Sequence, residues 1–170
     1  ASAKVQVTVT AVVTSTEELP TPLRIINIAN NTELTSLLAG TFGGFGSVKA
    51  GDEIRLASGA YNTIRTFSIS GTQTRPIVWK ANTVLGVTVN NNGLLKWTCT
   101  GADNTFVGIL FNGTAINLKG NRNRLLRCKT HHCKVSAIQV SENTTGIDIG
   151  YCDISTEPFV FGVTPTDGVD

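Results

Sequence analysis

The chain has 170 residues, of which 41% are apolar and 15% carry a charge, and its formal net charge is +2 at pH 7. This composition is typical of one folded domain, with or without an arm, and excludes a disordered chain. The net charge is too small to indicate nucleic acid as a partner. No run of about 18 apolar residues is present, so we expect no membrane partner either.

Residues 1–30 are predicted to form an N-terminal β-arm that serves as an anchor. Valines alternate with polar residues over 4–14, which predicts a strand, and a Pro-broken connector and a second short strand follow. The first strand has no obvious mate in the rest of the sequence. Because an unpaired strand edge favours pairing with another chain, we expect residues 4–14 to bind other copies, in a trimer, or a neighbouring structural protein.

Residues 31–50 are predicted to be a cap helix and a glycine-rich link. In the stretch NNTELTSLLAG, residues 30–40, three leucines form one apolar stripe. Asn31 or Thr32 is expected to be the N-cap, and Gly40 is expected to end the helix. The sequence therefore predicts a helix near residues 32–39 that covers the open end of the following domain.

Short apolar runs recur about every 20 residues from residue 51 onward, and polar turns rich in Asn and Gly separate them. Two short strands per period are typical of a solenoid, whereas a helical repeat would show 3.6-residue periodicity. We therefore predict an all-β, right-handed parallel β-helix of about five coils over residues 51–170. The first series of runs is Phe67/Ile69, Val87/Val89, Ile109/Phe111, Cys128/Thr130 and Cys152/Ile154, and the second is 77–79, 95–97, 115–118, 137–140 and 159–161.

Inward residues at equivalent positions of successive coils should stack into ladders. The run Phe67–Ile69 is expected to pack against Val87–Val89 of the following coil. The four cysteines are expected to be buried thiols, because a chain of this length folds without disulfides. The predicted ladders are Val87–Ile109–Cys128–Cys152 and Val89–Phe111–Thr130–Ile154.

The segment RCKTHHCK, residues 127–134, holds the densest cluster of reactive side chains. Cys128, His131, His132 and Cys133 are the residue types that bind zinc. Strand alternation, however, places Cys128 inward, and the two histidines fall where the coil turns, where adjacent rings tend to point apart. We therefore assign no metal site to this segment.

The outward positions of the same strand are a candidate site. A step of 24 residues places Arg127 beside Tyr151 and Lys129 beside Asp153. Such a charged pair is commonly a surface ladder that contributes about 0.2–1 kcal/mol. Alternatively, a guanidinium fork beside an aromatic ring binds an acidic sugar. Both interpretations stay open. The candidate glycan-binding residues are Arg127, Lys129, His131, Tyr151 and Asp153, which Arg122 and Arg124 in the preceding turn would extend.

The stretches VKAGDEIRLASGAYNT and FSISGTQTRPIVWKA resemble the opening coils of polysaccharide lyase family six, the alginate lyases and chondroitinase B, and NTFVGILFNG and GNRNRLLRCKT resemble later coils. The resemblance covers roughly residues 32–156 and implies a right-handed parallel β-helix. In a complete member it implies calcium that neutralises a uronate carboxylate, a Lys that removes the C5 proton and an Arg that assists the leaving oxygen. This chain has no Asn/Glu/Glu calcium set followed by Lys and Arg at coil spacing. We therefore carry over no catalytic residue and expect no cofactor in this stretch.

Three classes of function remain open. The first is the N-terminal part of a phage tail spike or fibre, a virion structural protein that binds copies of itself or virion proteins through residues 4–14 and also a polysaccharide. The second is a fragment of a lyase that cleaves uronate-containing glycans by β-elimination, and the third is a secreted carbohydrate-binding β-helix. We favour the first, because the arm has no mate, no leader is visible before the Ala-Ser-Ala start and no catalytic set is present. We expect the chain to continue beyond Asp170 and this stretch alone not to be an enzyme.

Overall fold

The computed structural model describes residues 18–63, 65–90, 96–133 and 137–154. Within these ranges the protein is mostly β, with three parallel sheets and one helix. No helix in the described ranges is long and apolar enough to cross a membrane. In chain order the elements are β1 (Arg24–Ile28), α1 (Asn31–Leu38), β2 (Asp52–Leu56), β3 (Gly59–Ala60), β4 (Arg65–Phe67), β5 (Ile77–Ala81), β6 (Val87–Asn90), β7 (Lys96–Cys99), β8 (Asn104–Val107), β9 (Ile109–Asn112), β10 (Ala115–Leu118), β11 (Arg124–Leu126), β12 (Lys129–His131), β13 (Ile138–Val140), β14 (Asp148–Gly150) and β15 (Asp153–Ile154).

The chain visits the three sheets in a fixed cyclic order. The six-stranded sheet has the order β1-β2-β5-β8-β11-β14, the five-stranded sheet β15-β12-β9-β6-β3 and the four-stranded sheet β13-β10-β7-β4. Each passage through the six-stranded, the five-stranded and then the four-stranded sheet is called a coil below. Strands of successive coils pair in parallel, so each coil buries its inner face together with its neighbours.

The core consists of inward side chains that stack from coil to coil. The ring of Phe67 packs against those of Trp79, Trp97 and Phe106, with centroid distances of 4.8, 5.0 and 5.2 Å. All four rings are buried. Burying such large rings is a main source of stability for strands this short. One inward row of the six-stranded sheet, in coil order, is Ile54, Trp79, Phe106 and Leu125.

Two asparagines lie inside the stack, where the chain passes from the four-stranded to the six-stranded sheet. The side-chain oxygen of Asn104 accepts a hydrogen bond from Trp79 Nε1 at 2.9 Å, and that of Asn123 accepts one from the backbone N–H of Asn104 at 2.8 Å. The amide of Asn123 donates to the carbonyls of Gly101 and Gly120. Buried polar groups at this corner lie outside the hydrogen bonds between strands, and the two asparagine side chains provide their hydrogen-bond partners.

Helix α1 is the predicted cap helix, with one correction. Its N-cap is Asn30, whose side-chain oxygen accepts hydrogen bonds from the backbone N–H groups of Thr32 and Glu33, both at 3.0 Å. The prediction of Asn31 or Thr32 was wrong, because the extended backbone that a cap requires lies at Asn30. Gly40 follows the helix with φ 74, which confirms its expected role at the C-terminal end.

The helix is attached to the coils by apolar contacts and by one buried cation. Leu34 and Leu37 belong to the main core. Arg65 is 5% exposed, and its guanidinium donates to the hydroxyl of Thr35 at 2.8 Å and to the carbonyl of Asn31 at 3.0 Å. Burial lowers the pKa of Arg65. The helix therefore packs on the coils in one fixed position.

The four coils from β2 to β13 have three strands each, whereas the sequence predicted two per coil. The missed strands are β8, β11 and β14 of the six-stranded sheet and β3 of the five-stranded sheet. The boundary between β8 and β9 is the single residue Gly108, so no polar turn marks it. Phe67 pairs with Cys99 in the four-stranded sheet and Val87 pairs with Gly59 in the five-stranded sheet, so the expected packing of Phe67–Ile69 on Val87–Val89 was wrong.

The register of the strands confirms the order of the second predicted ladder, although Ile154 at its end is 51% exposed, and it confirms the step from Val87 to Ile109 in the first. In the second ladder, Val89 pairs with Phe111, Phe111 with Thr130 and Thr130 with Ile154. In the first ladder Val87 pairs with Ile109, and the N–H of Asp153 donates to the carbonyl of Cys128 at 3.0 Å, which places Cys128 and Cys152 on consecutive coils.

Strand β1 lies within the segment assigned to the arm, but it pairs with β2 and so forms the first strand of the six-stranded sheet. The predicted strand over 4–14 and the run 159–161 lie outside the described residues.

Candidate functional site

Arg127 and Tyr151 occupy the corner between the six-stranded and five-stranded sheets on consecutive coils. Both have left-handed backbone conformations, with φ 52 and 54, as does Gly108 one coil earlier with φ 69. The N–H of Arg127 donates to the carbonyl of Gly150 at 3.1 Å, which fixes one corner on the next. Both side chains are exposed, Tyr151 by 57%. The expected neighbours are therefore placed at one edge of the five-stranded sheet.

Lys129 and Asp153 are directly opposite each other on β12 and β15, as the 24-residue step predicts. Lys129 Nζ lies 2.8 Å from Asp153 Oδ2. The side chains are 34% and 60% exposed, so the ion pair is screened by water and contributes only about 0.2–1 kcal/mol. The pair orders the surface more than it stabilises the fold.

His131 lies two residues after Lys129 on β12 and pairs with Asn112 of β9. The rings of His131 and His132 are 3.8 Å apart with an interplanar angle of 75°, so the expectation that they point apart was wrong. His132 has φ 52, which turns the chain at the end of β12, and its Nδ1 lies 3.0 Å from Asn112 Oδ1. The two rings therefore form one polar cluster at the end of the strand, in which His131 is half-buried and His132 is exposed.

We call the following residues of the five-stranded sheet and its edge the cationic face: Arg127, Lys129, His131, Tyr151 and Asp153. The cationic face has two permanent cations, Arg127 and Lys129, and one carboxylate, Asp153. It also has one exposed aromatic ring, that of Tyr151. A guanidinium binds a carboxylate through two parallel hydrogen bonds, and a phenol ring covers the apolar face of a sugar while its hydroxyl stays wet. The face thus has the chemistry to bind an acidic saccharide.

The cysteines do not contribute to this face. Cys128 is buried, and its Sγ lies 3.5 Å from the carbonyl oxygens of Phe106 and Leu126. All four cysteines are free thiols. Among the described residues, no three His, Cys, Asp or Glu side chains are close enough to hold a metal ion together.

The calcium that the family resemblance implies also has no matching ligand set near the cationic face. The nearest carboxylates, Asp148 and Asp153, are paired with Arg124 at 3.0 Å and Lys129 at 2.8 Å. Calcium requires six to eight oxygen ligands, several of them from carboxylates that are free to bind it. The residues that surround this face therefore do not fit the ion.

A second feature, a cleft of about 630 Å³ on the outer face of the six-stranded sheet, was not predicted. Thr105, Arg124 and Asp148 line its floor in one row across three coils. In the adjacent row, the guanidinium of Arg122 makes two hydrogen bonds to the carboxylate of Asp103, at 2.7 and 2.8 Å. The hydrogen bonds and the charge of Asp103 raise the pKa of Arg122.

Arg122 and Arg124 therefore belong to this cleft and not to an extension of the cationic face. The sequence signal of the row consists of the 19-residue step from Thr105 to Arg124 and the 24-residue step from Arg124 to Asp148. The signal was missed because the six-stranded sheet itself was not recognised after β5.

Comparison with known protein families finds no family model that matches the chain, and a search of curated proteins finds no similar sequence. The resemblance to polysaccharide lyase family six thus rests on the residues quoted for it.

Proposed function

We propose that this chain forms the opening coils of a right-handed parallel β-helix in a phage tail spike or fibre, where it binds an acidic polysaccharide on the cationic face. The cyclic visits to three parallel sheets support the β-helix. Parallel strands joined by a crossover are right-handed in about 98% of cases, which supports the hand. The proposed location is the virion, and a secreted carbohydrate-binding β-helix is the alternative with the same binding chemistry.

The observation that carries the proposal is a polar row on the outer face of the five-stranded sheet, formed by Asn90, Asn112 and His131 on three successive coils, beside the pair Lys129 and Asp153 on two. Lys129 and Asp153 continue the outward row of the five-stranded sheet, and His131 continues the next row after Asn112. Successive strands are about 4.8 Å apart. An extended polysaccharide that lies along these rows meets an equivalent position on every coil, so binding adds up over several weak contacts.

The face contributes distinct interactions to such a ligand. The guanidinium of Arg127 is suited to a uronate carboxylate, and the exposed ring of Tyr151 is suited to the apolar side of a pyranose. Lys129 is held by Asp153 and presents its ammonium in one place. Because the contacts are exposed and charged, we expect weak binding that decreases with salt.

Affinity electrophoresis of the full chain tests this proposal. Gels that contain alginate or chondroitin sulfate should retard the protein, and gels that contain dextran should not. Arg127→Ala and Lys129→Ala should each reduce the retardation. Lys96→Ala is the matched control, because Lys96 is also exposed on a strand and bonded to another strand of its sheet, through Gln139 at 2.8 Å two coils away on the four-stranded sheet. The proposal fails if neither acidic gel retards the protein, or if Lys96→Ala has the same effect as Lys129→Ala.

The lyase fragment is the second candidate, supported by the resemblance of the opening coils. β-Elimination requires a group that neutralises the carboxylate, a base for the C5 proton and an acid for the leaving oxygen within contact distance. We expect no unsaturated product, followed by its absorbance, from alginate or chondroitin with calcium present. Product formation that Lys129→Ala or Arg127→Ala abolishes would establish the lyase instead.

A further inference from the structure

The cleft on the six-stranded sheet is bounded by a segment that precedes the first strand. Residues 18–21 cross the outer face of the sheet and form one side of the cleft, and the loop with Gln73 and Thr74 forms one end. Leu19 packs against an apolar cluster on that face, and the N–H of Leu23 donates to the carbonyl of Gly51 at 2.9 Å. This segment is therefore fixed near both of its ends. The cluster under Leu19 is Val78, Val107 and Leu126.

The floor of the cleft is held by ion pairs. Asp103 has only 4% of its surface exposed, and both of its carboxylate oxygens accept hydrogen bonds from Arg122. Arg122 has room for its side chain because residue 146 is glycine, where an added Cβ would lie 3.0 Å from Arg122 Cγ. Arg124 is in turn paired with Asp148 at 3.0 Å. The charged groups are thus oriented before any ligand arrives.

The charges of the cleft exclude an anionic ligand. Its lining has three carboxylates, those of Glu18, Asp103 and Asp148, and two guanidiniums, those of Arg122 and Arg124. Both guanidiniums are already paired with a carboxylate, so an added anion would meet net negative charge. The cationic face has the opposite balance and belongs to the five-stranded sheet.

The cleft is lined by hydrogen-bond donors and by hydrogen-bond acceptors, which fits a ligand that both donates and accepts hydrogen bonds. We propose that the cleft binds a neutral saccharide, because each sugar hydroxyl donates one hydrogen bond and accepts others. Ion pairs with fixed geometry present N–H donors next to carboxylate oxygens, and Thr74, Thr105 and Gln73 add groups of both kinds. The volume of about 630 Å³ lies within the usual range for small-molecule sites. This inference does not depend on acidic-glycan binding at the cationic face.

Isothermal titration calorimetry on the full chain tests the proposal with neutral tetrasaccharides of glucose, mannose and galactose. At least one should bind with Kd of about 1 mM or tighter. It should also shift the Nε–H resonances of Arg122 and Arg124 in the NMR spectrum. Arg124→Met should weaken this binding about tenfold, since it removes a charge-assisted donor from the floor. Glu18→Gln should weaken it several-fold.

Two matched variants control for general effects. Arg55→Met alters an arginine on the outer face of the same sheet that is also paired with a carboxylate, that of Glu53, but lies outside the cleft. Saccharide binding by this variant should be unchanged. Lys129→Ala should likewise leave neutral binding intact, which separates this site from the cationic face. If Arg124→Met does not fold, as judged by circular dichroism, Glu18→Gln decides, because Glu18 lies outside every strand.

The proposal is overturned if none of the three saccharides gives heat or arginine shifts at millimolar concentration. It is equally overturned if Arg55→Met weakens binding as much as Arg124→Met or Glu18→Gln, or if Lys129→Ala abolishes it.

Discussion

At the scale of the residue, Arg127 and Tyr151 adopt backbone conformations that normally favour glycine. A left-handed non-glycine residue costs about 1 kcal/mol or more, and such outliers are enriched at functional sites. At the same corner one coil earlier the chain has Gly108. A long cation and a phenol thus occupy corners where glycine would be less strained, and both side chains are exposed. Leu85 and Asn143 adopt the same conformation, so it places the two side chains at the corner and does not by itself assign a binding role.

The four thiols should differ in reactivity. The hydrogen bond from Cys128 lowers the pKa of Cys152, whereas that same bond, together with burial, raises the pKa of Cys128. Burial raises the pKa of Cys99 to about 12 and also raises that of Cys133. Because only the thiolate reacts, and a lower pKa means more thiolate at a given pH, Cys152 should react first with an aromatic disulfide reagent at pH 8.

The rate is measured by absorbance of the released thiolate. Cys152→Ser should remove the fast phase, and Cys133→Ser, the other half-buried thiol, should leave it unchanged. A fast phase that persists in Cys152→Ser and disappears in Cys133→Ser would show that Cys133, and not Cys152, has the lowest thiol pKa.

At the scale of the element, the corner between the four-stranded and six-stranded sheets sets how closely the coils stack. A Cβ at Gly120 would lie 2.0 Å from the carbonyl oxygen of Gly101, which is backbone and cannot move aside alone. Gly120→Ala should therefore lower the free energy of unfolding by about 3 kcal/mol. Gly44→Ala is the control, because it has φ 77 but no atom within 4 Å, and it should cost about 1 kcal/mol. Urea denaturation measures both, and equal losses would contradict the close approach of the coils.

The ladders were predictable because strand alternation and the repeat step are visible in the sequence, as in Val89, Phe111, Thr130 and Ile154. The division of each coil among three sheets could not be predicted from the sequence. Strand β3 consists of Gly59–Ala60, which carries no apolar signal, and β8 runs into β9 through a single residue, so two strands look like one. Phe67 was consequently matched to the wrong sheet.

The two candidate surfaces also differ in how far they could be predicted from the sequence. Lys129 and Asp153 were predictable because they lie one step apart on adjacent coils. The cleft was not, because Glu18 precedes the repeat and Asp148 lies at its far end in sequence, and only the register of the six-stranded sheet brings these parts together.

At the scale of the whole molecule, stability depends on contacts between neighbouring coils and on cover at the ends. Helix α1 provides such cover through Leu34 and Leu37. Residues 4–14 remain predicted to pair with another chain. We expect the full chain to be a trimer by light scattering after size exclusion, and a variant without residues 1–17 to be a monomer.

This truncation retains Leu19, so the apolar cluster under it stays covered and the coils should keep their circular dichroism spectrum. A monomeric full chain would refute the assembly role of the arm, and a trimeric truncated chain would place the interface elsewhere.

The central claim is that an acidic glycan lies along the cationic face. The most direct measurement is the footprint of an alginate tetrasaccharide on the amide NMR spectrum of the labelled full chain. The proposal predicts the largest shifts at Lys129, His131, Tyr151 and Asp153, and their loss in Arg127→Ala. Shifts confined to the cleft residues Thr105 and Arg124, or no shifts at millimolar glycan, would contradict it.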